Sequence, residues 1–312
     1  MTPLSRAARW LWHQPYLLVA LTTLLWSGNI VTARGAADVV PPLTLAQVRW
    51  TGAFLIVLPF AWQALKREWP LIRQHFWILT VLSFSGITAY NSIAYWGLQH
   101  TEAINGSLLQ SATPVLIAFW SLVLYRDPLT RNQATGIVIS AVGVVAIVTR
   151  GDPTALAELR FNQGDIAFFV ALSIYALYTA ALRSRPAISA VSLIAVTTGW
   201  GAAMHIPAWL FEFAVQGRTI TPDPVAWFAL GYVVLFPSVI AYFAYNRGVD
   251  LVGANRAAPA YFLFPVYGAI LSITFLGETI QGYHLVGSAL VLAGVAVSIL
   301  RPRKRRPDPA GE

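Results

Sequence analysis

Cysteine is absent from this 312-residue chain, so it has neither a disulfide framework nor thiolate chemistry. Charge is also scarce. Asp, Glu, Lys and Arg make up 11% of the residues, against roughly 25% in an ordinary soluble domain. That balance excludes a large soluble helical protein, whose surface would need far more Lys and Glu. Acidic residues are the rarest charge, with 13 Asp and Glu against 21 Lys and Arg, and none lies midway along a long apolar run. Central carboxylates, the usual intramembrane proton or sodium sites, are therefore missing. HExxH, Walker and GxSxG patterns are absent, as is any Cys/His cluster spaced for a metal. The segments between apolar runs are too short for a catalytic domain. These absences lead to the expectation of no enzyme and no cofactor.

What the chain has is apolar mass. Hydrophobic residues are 57% of it, with 12 Trp, 12 Tyr and 16 Phe, a supply that suits two aromatic interface belts. A bilayer core takes about 20 apolar residues per helix. Ten runs meet that need, at 16–34, 43–65, 76–98, 103–125, 131–149, 164–183, 188–213, 225–246, 253–275 and 281–300. In lipid every backbone polar group must bond within its own segment, so the spans are helices. The run from Tyr16 follows Arg6 and Arg9 as a signal peptide's would, but nine further spans make an uncleaved first helix the simpler reading. The net charge of +8 does not read as nucleic-acid binding, because the basic residues are dispersed between apolar runs. The one cluster, Arg301–Arg306 in the tail, suits lipid headgroups. With the N-terminus in the cytoplasm, sixteen Lys and Arg fall on that face. Only Arg34, Arg150, Arg160 and Arg218 fall on the other, and Arg49 lies inside the second span. This bias puts both termini in the cytoplasm.

The chain also repeats itself. Adding 151 to positions 95–148 lays Gly97 on Gly248, Ala103 on Ala254, Pro114 on Pro265, Asp127 on Glu278, Gly136 on Gly287 and Gly143 on Gly294. The halves are 1–150 and 151–312, the second carrying the basic tail from Arg301. Five spans is an odd number, so the second half enters the membrane in the opposite direction. The expected fold class is an all-α membrane protein of ten transmembrane helices in two inverted five-helix repeats. Inverted repeats enclose a shared site near the bilayer midplane.

Candidate residues follow from this frame. Pro114, Pro237 and Pro265 interrupt spans four, eight and nine, each freeing a carbonyl one turn earlier. They read as hinges beside a cavity, or as static kinks. Gly86 in span three is the counterpart of Pro237. Ser107, Gln110, Ser111 and Pro114 form one helical stripe, and Thr88, Asn91 and Tyr95 another. Tyr261 and Tyr242 are the second-half counterparts of Gln110 and Asn91. Trp26, Asn29, Tyr175 and Tyr178 sit at similar depth. Together these residues can line a cavity with aromatic faces and polar dipoles; singly, each can equally be interhelical glue. Arg49 can pair with Glu102, meet a substrate carboxylate bidentately, or snorkel to the surface. His205 and His284 read as packed or interfacial groups. The glycines of spans five and ten read as a close helix contact rather than a dimer interface, so a monomer is expected.

Trp26-Ser-Gly-Asn29, Arg49, the prolines of spans four and nine, Leu276-Gly-Glu278 and the Gly-x6-Gly spacing of spans five and ten are jointly specific. By them the chain resembles the drug/metabolite transporter superfamily, EamA type, over roughly 16–300. Its aromatic interior is most similar to the amino-acid exporter branch. Arg126-Asp127 stands where the first half should have Gly-Glu. The resemblance implies a bacterial inner-membrane exporter of aromatic or neutral amino acids by alternating access, with a multidrug or quaternary-cation exporter as the alternative. A non-transporting membrane enzyme or receptor is the rival from another class. The lack of central carboxylates implies no obligate ion coupling. The partners expected are a small-molecule substrate and membrane lipid.

Overall fold

A computed structural model describes residues 10–152, 162–252 and 263–299, and every regular element among them is helical. Seven helices are long and apolar enough to cross a membrane, or eight if a bent pair counts as one. Helix α1 is Pro15–Gly35 and α2 is Pro42–Gln74. Both open on proline, whose fixed φ suits the first helical turn and whose missing N–H has no partner there anyway. At 33 residues, α2 is about 50 Å long and outruns the expected span by its polar end, Lys66–Gln74. Lys66, Arg67, Glu68, Arg73 and Gln74 need no lipid, and the helix continues through Pro70.

Helix α3, Phe76–Leu98, is α-helical except for a π turn at Phe84–Ala89. Helix α4 is broken into Ala103–Gln110 and Thr113–Tyr125, which meet at 49°. Helices α5 (Arg131–Val148) and α6 (Gln163–Ala181) follow. Helix α7, Ala190–Leu210, ends in a π turn at Phe211–Val215. Helix α8 runs from Pro224 to Leu235, widens into a π turn at Phe236–Ile240, and resumes over Ala241–Val252. Two shorter apolar helices, α9 (Leu263–Leu276) and α10 (Gly282–Ile299), complete the described chain.

The irregular turns have local causes. Pro114 and Pro237 withhold an N–H from the carbonyls of Gln110 and Val233. The structure satisfies both from within. Thr113 Oγ1 donates to the Gln110 carbonyl at 2.6 Å, and Ser238 Oγ donates to that of Val233 at 2.7 Å. The carbonyls that these two prolines free are therefore not left open. The π turn of α3 falls on that of α8 under the 151-residue offset. Its freed carbonyls, of Gly86 and Ile87, accept from Asn91 Nδ2.

The tightest seam joins α5 to α10, running antiparallel. A Cβ on Gly136 would lie 2.4 Å from the Gly294 carbonyl oxygen, and one on Gly143 2.7 Å from that of Gly287. Only glycine lets two backbones approach so closely. The largest apolar core draws on α1 to α6 and α8 to α10, with Phe168, Leu172 and Phe264 fully buried. It leaves a hollow between these helices.

Candidate functional site

The hollow has two parts with lining residues in common. The larger is a chamber of about 490 Å³. Its aromatic wall is Trp26 on α1, Tyr175 and Tyr178 on α6, and Tyr242 and Tyr245 on α8; Ser111, Thr113 and Pro114 come from the break in α4. Leu182, Arg185 and Asn246 carry it toward the end of the bundle where α6 turns into α7. The smaller part is a recess of about 40 Å³ lined by Asn29, Arg49, Tyr90, Gln110 and Phe264, and it shares Trp26, Tyr175 and Tyr242 with the chamber.

The aromatic wall is fixed rather than loose. Trp26 Nε1 donates to the Pro237 carbonyl at 3.0 Å, so the α8 π turn holds the indole. Its ring meets Tyr242 edge-on at 5.9 Å and stacks on Phe264 at 6.5 Å. Tyr90, Tyr175 and Tyr178 continue the row at 4.8 and 5.6 Å. Such faces hold an apolar side chain or a cation.

Arg49 is the chemical centre of the recess. It is only 5% exposed, so it does not snorkel. Nor does it pair with Glu102, whose carboxylate instead lies 3.9 Å from His284 Nε2. Its Nε donates to Ser238 Oγ at 2.8 Å; its Nη1 faces Asn29 Oδ1, Asn91 Oδ1 and Tyr95 Oη at 3.2, 3.1 and 2.7 Å. All four partners are neutral. The guanidinium also lies 4.5 Å from the centre of the Trp50 ring. Asn91 and Ser238 each bridge a π-turn carbonyl to Arg49, so the two irregular turns, one from each half, set its position.

The expected residues divide accordingly. Trp26, Tyr175, Tyr178, Tyr242 and Pro114 line the chamber, and Asn29, Arg49 and Gln110 line the recess. Asn91 and Tyr95 stand behind Arg49. Thr88 is elsewhere, its hydroxyl donating to the Gly201 carbonyl of α7 at 2.8 Å. The π turn adds about one residue to the helical register, which takes Thr88 off the stripe of Asn91 and Tyr95. Ser107 is packed against Gly268 of α9, where a Cβ would meet it at 2.1 Å, and lines neither cavity. Pro265 is buried in the first described turn of α9. Tyr261 lies outside the described residues. Sequence reasoning missed Tyr90, Ser238, Tyr245 and Phe264. Ser238, directly after a mid-span proline, was the one with a readable signal.

At the other end of the bundle, where α2 and α4 begin, the hollow is closed. The carboxylate of Glu212 in the α7 π turn accepts from the Leu43 and Thr44 N–H groups at 3.1 and 2.7 Å, and from the Thr44 hydroxyl. Glu278, just past α9, accepts from the Ala103 and Ile104 N–H groups at 2.7 and 2.9 Å. Behind them a buried chain crosses three helices. His284 accepts from Gln281 N–H at Nδ1, so its Nε2 carries the proton and donates to Asn105 Oδ1 at 2.9 Å. Asn105 Nδ2 then donates to Asp165, which also accepts from Thr101. Among the described residues no group of three His, Cys, Asp or Glu is placed to hold a metal ion.

The model of the EamA-like transporter family matches this chain twice, over residues 13–149 and 162–300. The uncharacterized transporter YyaM of Bacillus subtilis is 28% identical over 244 residues, covering 77% of this chain and 78% of its own. A probable amino-acid metabolite efflux pump of Salmonella typhimurium is 24% identical, covering 93% of this chain and 96% of its own. A solved crystal structure superposes with a TM-score of 0.61 at 19% identity, covering 92% and 97% of the two chains. That likeness speaks to the fold alone.

Proposed function

The chain belongs to the EamA-like transporter family, and from that premise we propose that it exports small amphipathic metabolites, with aromatic and neutral amino acids as substrates. It is a membrane transporter and not an enzyme. In the proposed arrangement ten helices form two inverted repeats, 1–150 and 151–312, in a bacterial inner membrane with both termini in the cytoplasm. The α6–α7 end of the chamber then faces the cytoplasm, and the end where α2 and α4 begin faces outward. Alternating access exchanges which end is closed.

One observation carries this reading: an aromatic chamber of about 490 Å³ shares Trp26, Tyr175 and Tyr242 with a recess holding a buried guanidinium whose hydrogen-bond partners are all neutral. The similarity to an amino-acid metabolite efflux pump supports the same substrate class. The aromatic wall by itself would also suit a quaternary cation, but the charge of Arg49 opposes a cation that brings no carboxylate.

Counterflow in proteoliposomes tests the proposal. Preloaded unlabelled Phe, Met or Thr is expected to drive uptake of the same labelled amino acid, whereas methyl viologen is not. Exchange of methyl viologen alone would move the chain to the multidrug reading. Uptake under an imposed proton gradient is expected to stop at equilibrium, and accumulation beyond it would overturn uncoupled transport.

A further inference from the structure

Building on the amino-acid reading above, we infer that the small recess is a site for the α-amino-acid head group. Arg49 Nη2 receives the carboxylate and Gln110 Oε1 receives the ammonium, while the side chain stays in the aromatic chamber.

The argument starts from what is left unpaired. A guanidinium has five N–H donors in a fixed fork. Ser238 takes Nε, and Asn29, Asn91 and Tyr95 surround Nη1. Nη2 makes no hydrogen bond to any described residue, and no described carboxylate forms an ion pair with Arg49. Four neutral acceptors thus hold Nε and Nη1 and leave the two N–H groups of Nη2 free, with the charge uncompensated. Gln110 is the complement. It is 5% exposed, its Oε1 is buried, and that oxygen has no hydrogen-bond partner. Both residues line the same recess, yet they do not bond to each other. An unpaired donor on a residue that lines the recess and a buried acceptor without a donor are satisfied together by one ligand that carries an anion and an N–H cation side by side.

The surroundings favour that polarity. Gln110 is the last residue of the first α4 segment, so the carbonyl end of that helix faces the same region and favours positive charge. A helix broken inside the membrane is a recurrent way to build such a polar site. At about 40 Å³ the recess has room for about three waters, which is the scale of a polar head and too small for an aromatic side chain. Trp26, Tyr175 and Tyr242 border both recess and chamber, so a side chain leaving the recess passes between aromatic faces. Recognition of the head group with a roomy chamber beyond it makes the transporter tolerant of side chain and strict about the two charges.

The test is competition against labelled Phe in counterflow, using Phe methyl ester, phenethylamine and 3-phenylpropionate. In the unaltered protein the ester and the amine are expected to compete about 100-fold more weakly than Phe, since a site built to pair a charge rejects the ligand that lacks it. In Arg49→Gln the Phe-to-ester preference is expected to fall to about twofold, and in Gln110→Leu the Phe-to-phenylpropionate preference is expected to collapse while the ester preference persists. If Arg49→Gln is not recovered folded, Arg49→Lys, which keeps the charge and loses the fork, is expected to show an intermediate ratio. An ester that competes as well as Phe, or a preference that survives loss of the guanidinium, would overturn the assignment while leaving amino-acid export intact. Arg49-dependent binding of 3-phenylpropionate by a protein that exchanges no amino acid would uphold the carboxylate half, overturn the ammonium half, and refute the export reading.

Discussion

The two ends of the bundle are built by different means. Where α2 and α4 begin, carboxylates stitch one half of the chain to the other. Where α6 turns into α7, the helices diverge around a chamber. The first four N–H groups of a helix lack backbone partners and carry partial positive charge, so Glu212 and Glu278 are well suited to close the starts of α2 and α4. Among the described residues the opposite end has one such cap. Glu68, near the end of α2, accepts from the Ser189 N–H and hydroxyl at the start of α7. The α2–α7 pair is therefore capped at both ends, each helix by the other. The α4–α9 pair differs. Glu278 caps α4, but Asp127, which the 151-residue offset sets against Glu278, pairs instead with Arg183, just past α6, in an exposed contact of 2.7 Å. Among the described residues, α2 and α7 are thus the pair in which each helix caps the other, and the start of α4 is held by Glu278.

The largest expected effect comes from cutting the stitched end. Each cap places a charge on two buried N–H groups, and losing it costs about 1–2 kcal/mol. Glu212→Ala with Glu278→Ala should therefore shift the balance toward opening at that end by about 3 kcal/mol, or roughly 100-fold. Because the chain has no cysteine, Ser111→Cys gives a single reporter inside the chamber. A membrane-impermeant maleimide added from the capped side should label it about 100-fold faster in the double variant than in the reporter alone. Unchanged labelling would mean that the carboxylates only finish helices and do not hold the end shut.

A second prediction sharpens the comparison by testing what the ends have in common. Both segments of α4 pack on the α5–α10 seam, where glycine is required by contact rather than by φ. Gly143→Ala puts a methyl 2.7 Å from a backbone carbonyl, which cannot rotate away. Overpacking of this kind costs about 1–3 kcal/mol and should lower the apparent melting temperature in detergent. Gly231→Ala meets nothing within 4 Å and should be neutral or slightly stabilising. Equal melting of the two variants would show that the seam tolerates separation.

Much of this frame can be read from sequence because the bilayer enforces it. Length and hydropathy place α1, α3 and α5 within a residue or two of where they lie, and prolines mark where α4 and α8 depart from regular helix. The glycines at 136, 143, 287 and 294 point to a close packed seam. The site is less legible. Stripe reasoning assumes an unbroken period of 3.6 residues, and the α3 π turn removes Thr88 from its stripe. The break in α4 separates Ser107, which packs on Gly268, from Gln110 in the recess. The carboxylate caps were invisible because a Glu at a helix end looks like a solvated charge until the facing helix is known. Arg49 was conspicuous as a lone charge, but its neutral partners come from α1, α3 and α8, and no local pattern joins them.

The smallest effect expected is at Thr88, and it decides whether the division between site and frame is real. Thr88 and Gln110 are both buried polar residues, and sequence reasoning set each on a stripe facing one cavity. Thr88 has a protein partner, the Gly201 carbonyl, while the Gln110 side-chain oxygen has none. A satisfied interhelical hydrogen bond in a membrane is worth about 0.6 kcal/mol on average. Thr88→Val keeps the shape, removes the hydroxyl, and should lower stability by about that amount. The Gly201 carbonyl keeps its own helical bond, so no buried group is left bare and the loss stays small. The half-saturation for Phe should stay within about twofold, because that hydrogen-bond energy is shared by every state of the cycle. A larger rise would mean that Thr88 moves into the cavity in a conformation other than this one, and that α3 turns about its π segment during transport.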